Sequence, residues 1–166
     1  RFLDEQQLDF LKGYLNKHHG IALLKFAEIF SEIGIEKAKK NAWSGESYNI
    51  LSATIVDIDT ECFELEVEYQ ERNKESKMKK VTVELDAMPV FKTRKFGGGI
   101  ISQPITRDSL NDVNPIDDIV RRLCRLCWIV NEPETTGKLF QLGIQLDGTK
   151  IGKIQDNMFL NQVPHN

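Results

Sequence analysis

Apolar residues recur mostly three or four apart along the start of the chain, as Leu8, Leu11, Leu15, Ala22, Leu23, Phe26, Ile29 and Phe30. That spacing predicts helix from Asp4 to about Glu32. Gly13 and Gly20 fall inside it, and a glycine costs about 1 kcal/mol relative to alanine in a helix, so a break or a close packing is expected near Gly20. Gly34 ends the segment, and Glu36 to Asn41 reads as a second short helix or a polar connection.

Past a polar turn at Ser44-Gly45-Glu46-Ser47 the period changes. Ile50, Ala53, Ile55, Val56 and Ile58 are followed, after Asp59-Thr60, by Phe63, Leu65, Val67 and Tyr69 alternating with Glu64, Glu66 and Glu68. Period two with acids on the second face predicts strands buried on one side. Asn73 to Lys77 is a charged hairpin tip, and Val81, Val83 and Leu85 return with Lys80, Thr82 and Glu84 outward. Glu64, Glu66 and Glu68 are expected to face Lys77, Lys79 and Lys80 across that hairpin.

Met88-Pro89 closes this first unit, and Thr93 to Gly99 is a basic, glycine-rich linker or binding loop. Asn114 is placed as an N-cap with Pro115 at the first helical position and Asp117-Asp118 in the first turn, which predicts a helix from Pro115 to Val130, stopped by Asn131-Glu132-Pro133. Lys138 to Leu146, the Asp147-Gly148 turn and Lys150 to Gln155 read as a β-hairpin. The class is α+β: N-terminal helices packed on an antiparallel hairpin or sheet, then a helix and β-hairpin extension, with too few crossover helices for a doubly wound sheet. Residues 1–93 form one unit, and 94–166 extend it and pack on it.

Composition narrows the function more than the fold. The chain has 166 residues, 40% of them apolar and 28% charged, so it is long enough for one ordinary domain and too apolar for wholesale disorder. A net charge of −3 supplies no field for phosphate backbones, which argues against nucleic acid. Cys62, Cys124 and Cys127 are an odd set, expected as reduced thiols in an intracellular, reducing compartment. The CxxC spacing of Cys124 and Cys127 lies in a helical run without a ligand-knuckle glycine, so zinc or redox use is not expected. No apolar run reaches membrane-spanning length, and the chain opens on Arg1 rather than Met, which leaves room for a leader before it.

The densest chemistry sits in Tyr14 to Ala27, where His18 and His19 are adjacent on an otherwise apolar helix. Neighbouring helical positions point about 100° apart, so the two cannot ligate one ion together, but one can meet a ligand while the other faces away. A neutral imidazole beside an apolar wall, here including Phe26, suits a flat iron-bearing cofactor. The alternative is one surface histidine and one hydrogen-bonded packing histidine.

Asn16, His19, Ala22, Leu23 and Ala27, with the hairpin carrying Ile55-Val56-Asp57-Ile58-Asp59 and the strand ending in Val83 to Pro89, resemble the small carboxyl-terminal domain of HugZ-like haem-utilisation proteins. The resemblance covers residues 8 to 90 or so; His18 stands where that family usually has Asp, and Asp59-Thr60-Glu61-Cys62 lacks the expected turn glycine. It implies a haem-binding or tetrapyrrole-linked module, with His19 the residue carried over most directly, Asn16 its helix-side partner and His18 an addition of this sequence.

Arg94 and Lys95 beside Gly97-Gly98-Gly99 are a weaker ligand-binding candidate, without the helix or the Lys-Ser/Thr of a P-loop. Asp57 and Asp59 share a strand face, either as paired acids or as solvated strand-end residues. Three function classes follow: a non-enzymatic haem or tetrapyrrole-binding regulatory module, a protein-interaction or assembly module that has lost the cofactor, and a flavin-type split-barrel oxidoreductase fragment, which has too few strands here for a barrel. For the second, Trp128, Phe140 and Phe159 are the expected aromatic anchors, with a protein partner or a second copy as ligand.

Overall fold

Asp4 opens α1 (Glu5–His18) by accepting the Gln6 N–H on its carboxylate at 2.8 Å. Leu8, Leu11, Tyr14 and Leu15 form its buried face. The helix stops at His19, whose φ of −132° and ψ of 37° turn the chain directly into α2 (Gly20–Phe30). The expected break is thus centred one residue before Gly20. The computed structural model describes residues 4–43, 47–91 and 115–145, and it has the α+β class read from the sequence.

Six of the eleven residues of α2 are buried: Ala22, Leu23, Phe26, Ala27, Ile29 and Phe30. Ser31 then breaks the helix. Its hydroxyl donates back to the Ala27 carbonyl and accepts the Ile33 N–H at 3.3 Å, which caps α3 (Glu32–Trp43). The helical segment therefore does not end at Gly34, which lies in the first turn of α3 where a Cβ would run into the Glu28 carbonyl oxygen.

Three antiparallel strands follow in the order β1-β2-β3: β1 (Tyr48–Ile58), β2 (Cys62–Glu71) and β3 (Lys77–Glu84). The uneven spacing of Ile50, Ala53, Ile55 and Ile58 comes from register shifts between Ile50 and Ser52 and between Ile55 and Asp57. Each inserts one residue, Leu51 and Val56, and so returns the apolar set to the helix-covered face. Asp59 organises the β1–β2 turn without a glycine, accepting the Glu61 N–H at 2.7 Å and the Cys62 N–H at 2.9 Å, while Asp57 accepts the Ile58 N–H at 2.9 Å.

The expected glutamate–lysine ladder reduces to one cross-strand pair. Glu66 lies opposite Lys80, but Glu64 faces Thr82 and Glu68 faces Met78. Lys79 points to the other face and pairs with Glu32 of α3 at 3.2 Å. Reversing one strand by a single residue moves a side chain to the opposite face, which is what separates Lys79 from Lys80.

Beyond the sheet, α4 (Pro115–Ile129) begins at the expected proline. It closes on Asn131 in the left-handed region, φ 62°, with the Glu132 N–H bonded to the Cys127 carbonyl at 2.9 Å. Here one expectation fails: Lys138 to Gln145 is not a strand but part of a helix, α5 (Pro133–Gln145). Thr135, Leu139 and Leu142 are buried at helical spacing against α4, and with Phe140 between them the local sequence carried both periods. Asp147-Gly148 and Lys150 to Gln155 lie outside the described residues.

Arg122 fastens α4 to the sheet end. It is 1% exposed, meets Asp118 through Nε at 3.1 Å and Asp86 through Nη1 at 3.5 Å, and donates to the Thr60 carbonyl at 3.4 Å. Arg125 adds a bond to the Ala87 carbonyl at 3.0 Å. The buried apolar residues of both segments, from Leu8 to Leu142, form one continuous cluster.

Two glycines give predictions of opposite sign. Gly34→Ala should lower unfolding free energy by about 1–3 kcal/mol through the clash with Glu28. Gly13→Ala, in mid-α1 with open space at the Cβ position, should raise it by about 0.5–1 kcal/mol. Urea denaturation of the two variants beside the parent measures both.

Candidate functional site

A cleft of about 750 Å³ opens where three pieces of backbone meet: the α1–α2 corner from Asn16 to Leu24, Leu51 to Thr54 of β1, and the start of α5 at Glu134, Thr135 and Lys138. It is the place to which the sequence pointed, but its two histidines divide the work differently from expectation.

His19 is inside, 7% exposed. Its Nε2 lies 3.0 Å from the Tyr14 hydroxyl and its Nδ1 3.1 Å from the Thr135 hydroxyl. Both ring nitrogens are therefore engaged, and iron ligation through either would displace a buried hydrogen bond. Burial, then the charges of Lys138 and His18, pushes the His19 pKa down to about 4, and burial pushes the Tyr14 phenol up. The ring is neutral at pH 7, one nitrogen donating and the other accepting. It ties α1, the corner and α5 into one unit.

His18 is half-buried at the cleft lining, its ring centroid 5.3 Å from that of Tyr14 and 6.5 Å from that of His19. Of the two imidazoles lining the cleft it is the more exposed. Apolar side chains line the same cleft: Ile21 is 69% exposed and Leu51 44%, together with Leu24 and Ala53. Lys17 and Lys138 supply cations at the margin, Lys138 paired with Glu134 at 3.2 Å. Lys25 and Glu132 pair at 3.6 Å between α2 and the α4–α5 turn.

Asn16 does line the cleft, yet its carboxamide is committed. Nδ2 donates to the Ile55 carbonyl at 3.0 Å and Oδ1 accepts the Ile55 N–H at 2.8 Å, so the side chain pairs with β1 as a neighbouring strand would. Phe26 is not part of the site. It is fully buried, its ring 6.0 Å from Phe30 and 5.8 Å from Phe63, and its place on the helix's apolar face puts it in the core rather than against a ligand.

Trp128 and Phe140 are 56% and 59% exposed on α4 and α5, away from the core as an anchor requires. Arg94, Lys95 and Phe159 lie outside the described residues. Cys124 donates to the Thr136 carbonyl at 3.5 Å and Cys127 is buried; burial raises both thiols, Cys124 to about 12. Neither is poised as a thiolate. Among the described residues no three His, Cys, Asp or Glu side chains come together as a metal-ligand set.

Sequence reasoning missed Tyr14, Thr135 and the Leu51–Thr54 edge. Tyr14 sits five residues before His19, a spacing with no motif, and Thr135 is 116 residues away.

The buried histidine has a pH signature. A group whose folded pKa lies below its unfolded value of about 6.5 takes up a proton more readily when unfolded, so stability is whole above that value and falls as pH drops towards 4. His19→Gln should flatten this loss between pH 6.5 and 4 relative to the parent; denaturation curves across that interval check it, and parallel profiles for the two proteins would contradict it.

No family model matches the chain, and no curated protein or solved structure is significantly similar to it.

Proposed function

We propose that this chain is a non-enzymatic, tetrapyrrole-linked binding and regulatory module that takes a flat amphipathic ligand of the haem class in the corner cleft. The observation that carries this reading is the half-buried imidazole of His18 at a cleft of about 750 Å³ beside Ile21, Leu24 and Leu51. That volume is in the range of cofactor sites. The resemblance of residues 8 to 90 to the haem-utilisation domain supports the ligand class. In this reading the roles exchange: His18, half-buried at the cleft, would be the donor to iron, and His19, hydrogen-bonded to Tyr14 and Thr135, would position the corner. Lys17 in the cleft lining would supply a cation to a carboxylate of such a ligand. Bound there, haem would supply an iron centre held by one imidazole. Three free thiols suit a reducing compartment, and no helix among the described residues is long and apolar enough to cross a membrane.

A second reading, interaction or assembly by a fold that has lost the cofactor, is favoured by the exposure of Trp128 and Phe140. Its partner would be another protein or a second copy, and Trp128→Ala would then abolish any dimer seen by sedimentation.

Titration of the intact chain with haem separates the two. A Soret band of ligated haem, lost in His18→Ala and kept in Thr135→Val, is the expected result. An identical spectrum for the parent and His18→Ala, or no ligated spectrum at all, turns the choice to the second reading.

A further inference from the structure

Among the described residues β1 is an edge strand, since the sheet order is β1-β2-β3. Edge strands expose main-chain donors and acceptors, and proteins blunt them with charges, prolines or cover. The two edges of this sheet differ. β3 carries Lys77, Lys79, Lys80 and Glu84, whereas Tyr48 to Val56 of β1 holds no charge and no proline.

Two asparagines occupy the outer edge of β1. Asn41 accepts the Tyr48 N–H at 2.9 Å and donates to the Tyr48 carbonyl at 3.3 Å, and Asn16 makes the same two-bond contact with Ile55. The chemistry that this edge accepts is therefore visible at both ends: it is a carboxamide, the group a peptide backbone presents. Antiparallel pairing alternates inward and outward main-chain groups. Counting from Tyr48 and, across the Leu51 bulge, from Ile55 gives one answer: the N–H and C=O of Ile50 and Ala53 point away from β2. Leu51 to Thr54 form a wall of the cleft, so Ala53 is the one of the two that borders open space.

We propose that the edge of β1 between Asn41 and Asn16 is a strand-addition site for an extended, uncharged peptide of about four residues from a partner protein. The window sets the length, because the two asparagines already fill the positions at Tyr48 and Ile55. Charge sets the composition. The edge itself is neutral, and of the ions about the cleft Lys138 is paired with Glu134 and Lys25 with Glu132, with Lys17 of α1 the further cation in its lining. Ile21, exposed across the cleft, offers an apolar contact to alternate side chains of the added strand. The pairing uses main-chain groups and does not depend on the tetrapyrrole reading.

The test uses the capped pentapeptide acetyl-Thr-Val-Thr-Val-Thr-amide and an analogue N-methylated at alternate residues, with amide hydrogen exchange of the full chain as readout. The parent peptide at several millimolar should slow exchange at the Ala53 N–H by about tenfold or more and the methylated analogue should not. The contrast between the free and the N-methylated peptide reads main-chain pairing alone, which keeps this result separate from the haem titration. Leu51→Lys, which places a charge on the edge at an exposed position, should reduce the protection. An Ala53 amide unchanged by the peptide, or protected equally by both peptides, overturns the proposal.

Discussion

Burial of α2 is the constraint from which the rest of the molecule follows. A helix with Leu23, Phe26 and Ala27 wholly inside cannot end in solvent at its own level, so the chain must turn sharply at both ends while satisfying the polar groups that turning exposes. Ser31 does this at one end with its hydroxyl, and Gly34 gives the next turn room to pass the Glu28 carbonyl. At the other end the break falls on His19. Its N–H completes α1 at the Leu15 carbonyl, its carbonyl accepts the Leu23 N–H, and its ring is held between Tyr14 and Thr135. The corner so made is one wall of the cleft, which means that the candidate site is a consequence of how the core helix is entered.

What the sequence made legible was what local chemistry decides. The helices before residue 43, the sheet with one wet face and the helix begun at Pro115 are all set by residues within a few positions of each other. The cleft was half legible. Adjacent histidines in an apolar stretch marked the corner, and bulk chemistry could say that one faces inward. It could not say which, because the helix breaks at His19 itself and the 100° rule between neighbours lapses there. Thr135 was beyond reach for another reason: it arrives through the packing of α5, and residues 138 to 145 carry a pattern that a strand or a helix satisfies equally until α4 supplies the burying surface.

Asn16 shows the limit of carrying a role over by motif. Its position beside His19 made it a natural ligand contact, yet the amide is spent on Ile55. The reason lies in the sheet. An edge strand with no charge along nine residues needs its main chain covered somewhere, and short amides from α1 and α3 cover it at the two points they can reach. Phe26 fails for the complementary reason: a large aromatic on the most buried helix is worth more against Phe63 than beside a solvent-open cleft.

The two halves of the fold share one apolar core, and directional contacts fix how they meet. Arg122 and Arg125 hold α4 to the end of the sheet, and the His19–Thr135 bond and the Lys25–Glu132 pair hold the start of α5 to the corner. An arginine buried as deeply as Arg122 is stable only with its carboxylates in place, so this junction tolerates little sliding. The third wall of the cleft is thereby fixed by residues remote from it. A ligand that presses on Thr135 works against the packing of α5 on α4, the same pair of helices that carries Phe140 and Trp128 to the surface. The third wall of the cleft and the exposed Phe140 and Trp128 are thus carried by one helical hairpin, so a change in how α5 packs on α4 would move both together.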